Sequence, residues 1–164
     1  MKTKKIKVFL GGYVNYTNAQ NLNCRALAKY LNKGKIECAA MLFPNGNLSV
    51  DSDLVGIKLF KCLRPQCYFR YLTYLRGIMW CDVAYLPKGE IWEFCSRCLK
   101  WFGKKSFTTV EGVISGTNLD KSIVSYGSKE AIVNVYSFTT KTYAITKYMS
   151  EKNKAVSYTH LRAH

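Results

Sequence analysis

The stretch KIKVFLGGYVNYTNAQNLNCRALAKYL, Lys5 to Leu31, places a strand, a pair of glycines and a helix in immediate succession. The apolar run from Ile6 to Leu10 is typical of a fully buried strand. Gly11 and Gly12 predict a sharp turn after it, since adjacent glycines let the backbone bend and approach a ligand closely. The helix would direct its unpaired N–H groups toward that turn. This succession predicts the opening unit of a nucleotide-type α/β fold.

The first helix has a recognisable start and one apolar stripe. Asn18 is a suitable N-cap, and apolar residues recur behind it at helical spacing. We expect the helix to turn this stripe toward a sheet. Its members are Leu22, Ala26, Leu27, Tyr30 and Leu31.

The rest of the chain continues the alternation of strands and helices. Further strands are predicted at 36–43, 55–61, 83–86, 107–110 and 131–136, and further helices near 68–79, over 90–102 and from about residue 140. The inward residues expected for the first two of these helices are Tyr68, Tyr71, Leu72, Leu75 and Met79, and then Ile91, Phe94, Cys98 and Trp101. The pattern predicts an α/β fold with a Rossmann-like, mostly parallel sheet of about six strands and helices on both faces.

Several loops fall at the carboxyl edge of this predicted sheet, where α/β proteins bind their ligands. They are Gly11–Gly12, Pro87–Glu90, Glu111–Gly112 and Ser137. Glu111 is the carboxylate best placed for acid or base chemistry, and a turn or helix-capping role suits it equally. The sequence assigns no other catalytic residue.

The formal net charge of +15 is the strongest compositional signal. Residues 1–82 hold 13 Lys and Arg against 4 acids, and residues 83–164 hold 12 against 6, so the excess is spread along the chain. A spread charge favours attraction to an anionic surface or to phosphate-bearing ligands over a single nucleic-acid-binding tail. A basic surface that only aids solubility is the equal alternative.

Length and cysteine content indicate a reduced compartment. The 164 residues allow one domain with a substantial core. No uncharged apolar run approaches the roughly 18 residues of a membrane-spanning helix, and the basic start lacks the apolar segment of a signal peptide. Seven cysteines, an odd number, suit free thiols better than a disulfide framework. We therefore expect a cytoplasmic protein.

The second predicted helix combines aromatic and basic residues. Such a helix can lie on an anionic membrane surface, with rings among the headgroups and arginines on phosphates. The membrane-facing candidates are Arg70, Tyr74 and Arg76. Packing on the sheet, with the arginines reaching solvent, is the favoured alternative.

Two motifs have the spacing of metal sites but not the expected context. Cys95 and Cys98 form a C-x-x-C pair that Cys62 and Cys67 could complete as a zinc site, yet the pair falls inside a helix, where cysteine serves as a small apolar residue. The D-x-D motif at 51–53 follows a polar turn, which favours a solvated loop. We therefore predict no metal site.

The G-x-G-x-x-G, G-x-x-x-x-G-K-[ST] and G-x-S-x-G motifs are absent, which disfavours dinucleotide binding, P-loop nucleotide binding and serine-hydrolase chemistry.

The chain ends in a segment of different character. AVSYTHLRAH, Ala155 to His164, looks like a translated sequencing-adapter tail and holds both histidines of the chain. We therefore predict one domain over residues 1–152 and a non-native, disordered tail over 153–164.

Taken in order, the segments KIKVFLGG, NAQNLNCRALAKYLN, DVAYLP, KKSFTTVEGV and NVYSFTTKTYAITKYM resemble the amino-terminal Rossmann domain of glycosyltransferase family 4, over residues 5–152. These are B-type, two-Rossmann enzymes that build capsule, lipopolysaccharide and related glycans. The resemblance implies a cleft bordered by Gly11 and Gly12, and we add their neighbours Tyr13 and Asn18. It implies an acceptor side formed by the loops at Pro87, Lys88 and Gly89, at Glu111 and Gly112, and at Ser137.

The resemblance also implies an activity. The full enzyme would be a glycosyltransferase of hexosyltransferase type that moves a sugar from a nucleotide-sugar donor to a glycan or lipid-linked acceptor in cell-surface polysaccharide synthesis. The family's donor-binding domain, with its Glu-x7-Glu pair, does not occur in these residues, so the chain alone is expected to be inactive and to bind no cofactor itself. Its expected partners are the acceptor, the second Rossmann domain and the anionic inner face of the cell membrane.

A nucleic-acid-binding module is the alternative from another class. Exposed aromatic rings and arginines on a basic α/β protein can bind RNA or single-stranded DNA. The aromatics here fall mostly on helical apolar stripes instead of interleaving with Lys and Arg along one strand, so nucleic acid is the less favoured partner.

Overall fold

The computed structural model describes residues 4–50, 54–87, 92–110, 123–124, 127–128, 130, 137–144 and 161–163. The chain divides into two compact units, Met1–Lys105 and Ser106–His164. The domain predicted over residues 1–152 therefore spans both units, and its boundary stays a prediction.

The first unit alternates strands and helices as the sequence predicts. Its strands are β1 (Ile6–Tyr13), β2 (Ile36–Leu42), β3 (Lys58–Lys61) and β4 (Val83–Tyr85), and its helices are α1 (Ala19–Tyr30), α2 (Gln66–Trp80) and α3 (Trp92–Trp101). The strands are parallel and lie in the order β3-β2-β1-β4. This arrangement confirms the predicted Rossmann-like parallel α/β fold.

The central strands are apolar because helices cover them. Strand β1 pairs with β2 from Ile6 opposite Ile36 and with β4 from Val8 opposite Val83. The core side chains on these three strands include Phe9, Leu10, Ala39, Ala40, Met41, Ala84 and Tyr85. The most buried part of the sheet is thus β1 with its two neighbours.

The predicted turn at Gly11 and Gly12 is wrong, because β1 runs through both glycines to Tyr13. The chain turns afterwards, at residues 14–16. The pairing with β2 shifts register between Leu10 and Tyr13, which is the kind of irregularity that glycine tolerates within a strand. Both glycines are therefore strand residues.

Close packing explains why glycine occupies both positions. A Cβ at Gly11 would lie 2.9 Å from Tyr74 Cε1, and one at Gly12 would lie 2.5 Å from Cys24 Sγ. Real Cβ atoms do not approach other atoms this closely, so α1 and α2 could not pack as they do on any larger residue.

All three helices turn a different face to the interior from the one predicted. The buried residues are Asn21, Cys24 and Ala28 on α1, Thr73, Tyr74, Gly77 and Ile78 on α2, and Cys95, Ser96 and Leu99 on α3. Leu22 and Tyr30 of the stripe predicted on α1 are exposed, and Trp101 at the end of α3 is 87% exposed. Small residues at Cys24, Ala28 and Gly77 let α1 and α2 approach the sheet closely, while Leu22, Tyr30, Leu72 and Met79 stay exposed.

The second unit contains β5 (Lys105–Val110), which begins at its boundary, and the strands β6 (Lys141–Ala144) and β7 (Leu161–Ala163). They lie in the order β5-β6-β7, and both pairings are parallel. Phe107 and Tyr143 pack edge to face with ring centroids 6.2 Å apart. Ser106 and Thr140 each donate a backbone N–H to the other's hydroxyl, at 3.0 and 3.2 Å.

Two predictions for this unit are wrong. The helix predicted from about residue 140 is strand β6 over Lys141–Ala144, where Thr142 and Tyr143 favour a pleated position, and its remainder lies outside the described residues. Residues 161–163 of the tail predicted to be disordered form β7 against β6. The strand predicted at 131–136 lies outside the described residues.

Among the described residues, no helix is long and apolar enough to cross a membrane.

Candidate functional site

The four strands of the first unit are parallel, so their carboxyl ends share one edge of the sheet. The loops that leave this edge follow Tyr13, Leu42, Lys61 and Tyr85. Hydrogen bonds join the first three of these loops. This edge is the candidate site.

Tyr13, at the end of β1, is buried beneath this edge and connects it to α1 and α2. Its phenol oxygen accepts a hydrogen bond from Gln66 Nε2 at 2.9 Å, and its hydroxyl lies 3.9 Å from Cys62 Sγ. Its backbone N–H donates to Asn21 Oδ1 at 2.8 Å. Burial raises the pKa of the phenol to about 12, and the Gln66 hydrogen bond offsets part of this shift. Tyr13 therefore stays protonated at neutral pH and acts as a fixed support.

Asn15 holds the loop after β2 in place. Its Oδ1 accepts from the Phe43 N–H at 2.7 Å, and its Nδ2 donates to the Phe43 carbonyl at 3.0 Å. The rings of Tyr13 and Tyr16 pack on Phe43 with centroids 5.1 and 4.9 Å away. A Cβ at Gly46 would overlap the Asn15 side chain, so glycine is required where the loop passes over it. The Phe43 ring is thus fixed before any ligand arrives.

Further contacts join the loops after β1 and β2. Asn47 Oδ1 accepts from the Thr17 N–H and lies 3.1 Å from the Thr17 hydroxyl. The Arg25 guanidinium reaches from α1 to the carbonyls of Val14 and Ser49, at 2.9 and 2.7 Å. These bonds make the edge a preformed surface.

A pocket of about 500 Å³ opens in this surface between the loops after β2 and β3. The first loop provides Phe43, Pro44 and Asn45, and the second provides Arg64, Pro65 and Gln66 at the start of α2. Arg64 donates to Asn45 Oδ1 across the opening. None of the six lining residues is acidic.

The predicted cleft residues have mixed placements. Gly11 and Gly12 lie inside β1, Tyr13 is buried at its end, and Asn18 caps α1 by accepting from the Asn21 N–H at 2.8 Å. Pro87 is buried two residues after β4. Ser137 is exposed in the second unit, and Lys88, Gly89, Glu111 and Gly112 lie outside the described residues. The structure thus supports the cap at Asn18, and the ligand roles stay predictions.

One of the three membrane-facing candidates is wrong. Tyr74 is only 1% exposed, and its hydroxyl donates to the Gly11 carbonyl at 2.7 Å, so it holds α2 on the sheet. Arg76 is exposed, with its guanidinium carbon 6.0 Å from the centre of the Phe60 ring. Arg70 is half-buried and donates to the Tyr71 hydroxyl at 2.9 Å.

The cysteine pair of α3 does not have the lowered thiol pKa of a redox motif. Burial raises the pKa of the Cys95 thiol, with a further contribution from Cys98, and burial also raises the pKa of Cys98. A raised pKa disfavours the thiolate, which is the form that attacks disulfides. The part of the chain that the structure describes contains no cluster of three or more potential metal ligands. The D-x-D motif at 51–53 lies outside it.

None of the six pocket residues was predicted as a site from the sequence. The rule that placed ligands at the carboxyl edge applies equally to the loops after β2 and β3, and the presence of Asn45, Arg64 and Gln66 in those two loops was the available signal.

No protein-family model and no curated protein sequence matches the chain. Solved structures do match it. The Anabaena protein HepE, solved in complex with UDP and glucose, superimposes over 98% of this chain with a TM-score of 0.66 and 10% sequence identity. The apo form of the lipopolysaccharide outer core galactosyltransferase WaaB matches over 95% of this chain, with a TM-score of 0.53 and 15% identity.

These likenesses establish the fold. The chain spans 44% of the length of each of the two structures, so it corresponds to less than half of either.

Proposed function

We propose that this chain is the acceptor-side, amino-terminal domain of a glycosyltransferase. The observation that carries the proposal is the preformed pocket at the carboxyl edge of a sheet whose fold matches a structure solved with UDP and glucose. A second match is a galactosyltransferase, which supports the same class of reaction. Membership of family 4 and a hexosyltransferase activity are the finer parts of the proposal.

In this proposal the chain binds the acceptor, and a second Rossmann domain binds the nucleotide-sugar donor. An acceptor hydroxyl attacks the anomeric carbon of the donor sugar, and the nucleoside diphosphate leaves. The contribution of this chain is positioning. A fixed ring at Phe43 and polar groups at Asn45 and Gln66 hold the acceptor. Because the acceptor is already oriented, less entropy is lost when the transition state forms. The chain by itself transfers no sugar.

The proposed setting is cell-surface polysaccharide synthesis, such as capsule or lipopolysaccharide, at the cytoplasmic face of the membrane. Helix α2 supports this location. Tyr68, Leu72 and Met79 are 74%, 54% and 57% exposed along one side of it, Arg76 lies among them, and the helix has no acidic residue. An apolar stripe with positive charge and no negative charge suits an anionic bilayer surface.

Mapping of ligand contacts on the chain tests the function. ¹⁵N-labelled protein is titrated separately with bacterial cell-surface oligosaccharides, with UDP-glucose and with a single-stranded oligonucleotide. We expect the saccharides to shift the amide resonances of Tyr13, Asn45 and Gln66. UDP-glucose should leave these resonances nearly unchanged, because the proposal places the donor on the other domain.

Two results would contradict the proposal. One is a shift of the edge resonances by UDP-glucose with no response to any saccharide. The other is tight, strongly salt-dependent oligonucleotide binding without saccharide binding, which would favour the nucleic-acid module.

A further inference from the structure

The pocket between the loops after β2 and β3 has a composition that selects a chemical class of ligand. Phe43, Pro44 and Pro65 form its apolar lining, and Asn45, Arg64 and Gln66 provide its polar groups. Its volume of about 500 Å³ lies within the roughly 300–1,000 Å³ typical of small-molecule sites. It therefore has room for a saccharide unit that presents both an apolar face and polar groups.

Arg64 gives the pocket a positive charge that no carboxylate neutralises within the described residues. Its guanidinium donates to the Asn45 amide oxygen, and the acidic residues of the described part of the first unit are Glu37, Asp82 and Glu93, none of which lines the pocket. Guanidinium has five N–H donors in a planar fork that suits phosphate and carboxylate. Arg64 is exposed, so its charge stays hydrated and has only a small desolvation cost before a ligand binds.

The neighbouring groups are oriented for a hydroxylated ring. Because Gln66 donates its amide N–H to Tyr13, its carbonyl oxygen can accept from a ligand hydroxyl. The Asn45 amide oxygen is engaged by Arg64, which leaves its NH₂ group as a donor. Asn15 holds the Phe43 backbone and two tyrosine rings pack on the Phe43 ring, so the C–H face of a sugar would meet a fixed aromatic surface.

We propose that this pocket binds a saccharide carrying an anionic group, a phosphate or a carboxylate, with Arg64 on the anion. Asn45 and Gln66 bind the sugar hydroxyls, and Phe43 packs on the ring. This inference rests on the proposed function and narrows the acceptor to anionic saccharides. The net positive charge of the protein raises the encounter rate with such a ligand, and Arg64 decides where the anion binds.

Isothermal titration of the chain at fixed salt tests the proposal with four probes: glucose 1-phosphate, glucuronate, glucose and inorganic phosphate. We expect glucose 1-phosphate or glucuronate, or both, to bind at least ten-fold more tightly than glucose, and the better of the two identifies the anion. Inorganic phosphate should bind more weakly than glucose 1-phosphate because it lacks the ring. R64Q should weaken binding of the anionic sugar by roughly ten-fold or more, because a charge-assisted pair is lost.

Two further variants make the test specific. N45D places a negative charge beside Arg64 and should also weaken anion binding by roughly ten-fold. R97Q removes the same charge from an exposed position on α3 that does not line the pocket, and it should leave the affinity unchanged within about two-fold. Asn45 and Arg64 are exposed, so both pocket variants should keep the parent circular dichroism spectrum and unfolding midpoint.

The inference is overturned if glucose binds as tightly as both anionic sugars, or if R97Q weakens binding as much as R64Q. In the first case saccharide binding persists, so the proposed function stands and only the restriction of the acceptor to anionic saccharides is lost. If none of the saccharides binds, and the single-stranded oligonucleotide of the amide-resonance titration does bind, the proposed function itself fails.

Discussion

At the scale of single residues, Gly12 shows how packing governs the opening strand. A Cβ at this position would lie 2.5 Å from Cys24 Sγ and 3.2 Å from Asn21 Oδ1. We expect G12A to lower the free energy of unfolding by about 1–3 kcal/mol, the usual cost of overpacking a core. The measurement is chemical denaturation of the parent and the variant.

A second substitution separates packing from a ligand role at this glycine. C24A removes the sulfur that the new methyl group would meet, so G12A/C24A should be less destabilised than the sum of the single variants. G34A is the control, because its nearest contact is the Asn32 side-chain oxygen in an exposed loop. Strict additivity of G12A and C24A would refute the packing account.

Buried titratable side chains predict a loss of stability at alkaline pH. Burial raises the pKa of Cys38 and Cys81 from 9.0 to about 11, and that of Tyr13 from 10.0 to about 12. The unfolded chain ionises first, so these groups contribute fully below about pH 9. That contribution is lost between pH 9 and 11 for the thiols and between pH 10 and 12 for the phenol, at roughly 1 kcal/mol per pH unit for each group.

Urea denaturation in reductant between pH 8 and 10.5 checks this loss. The lysines also titrate in this range, so the comparison is between variants. C38A should show a shallower decline than the parent, whereas C67A, which alters an exposed thiol, should follow the parent. Equal slopes for C38A and C67A would rule out the buried thiol as a cause.

At the scale of helices and strands, the contact of α2 with β1 depends on Gly77. A Cβ there would overlap the Phe9 ring, which is fully buried. Helix propensity alone predicts that G77A stabilises the protein by about 1 kcal/mol. Overpacking costs about 1–3 kcal/mol, so we expect a net loss of stability.

The sign of the change in unfolding midpoint decides between the two effects. Combining G77A with F9L should recover part of the loss, because the smaller side chain leaves room for the new methyl group. A higher midpoint for G77A than for the parent would show that the helix does not pack on β1 in this way.

The exposed stripe of α2 gives a prediction for membranes. We expect the chain to sediment with phosphatidylcholine vesicles that contain phosphatidylglycerol, and to do so much less with phosphatidylcholine alone. L72S/M79S should weaken this binding several-fold, since two apolar side chains would no longer enter the interface. V55S, which alters an exposed apolar residue outside α2, is the control. Unchanged binding by L72S/M79S would exclude the stripe as the contact.

The helices show what the sequence could predict at this scale. The position of each of the three in the first unit was predictable, because helical spacing and the cap at Asn18 are local signals. Which face of each helix is buried could not be predicted. The spacing of large apolar residues predicted Leu72 and Met79 as inward, whereas Thr73 and Gly77 are the buried residues. Which face is inward depends on how closely a helix can approach β1, and that is a tertiary property.

At the scale of the whole molecule, the parallel α/β fold was predictable from alternating apolar strands and helices. The pocket was not, because its walls come from segments about twenty residues apart that meet only when β2 and β3 pair. The predicted ligand positions at Gly11 and Gly12 drew on a local motif and stay a prediction; the structure shows that both glycines admit the close packing of Tyr74 and Cys24. Local sequence thus identified the scaffold better than the binding surface.

The central claim is that this chain is the acceptor-binding part of a glycosyltransferase. Its most direct test is to recover the complete reading frame from the source DNA, express the protein, and measure release of UDP from UDP-sugars with and without saccharide acceptors. The account predicts a second Rossmann domain after the residues described here and UDP release that depends on an acceptor. A reading frame that continues into a different fold would contradict it. So would a full-length protein that releases no UDP from UDP-sugars with any of the acceptors.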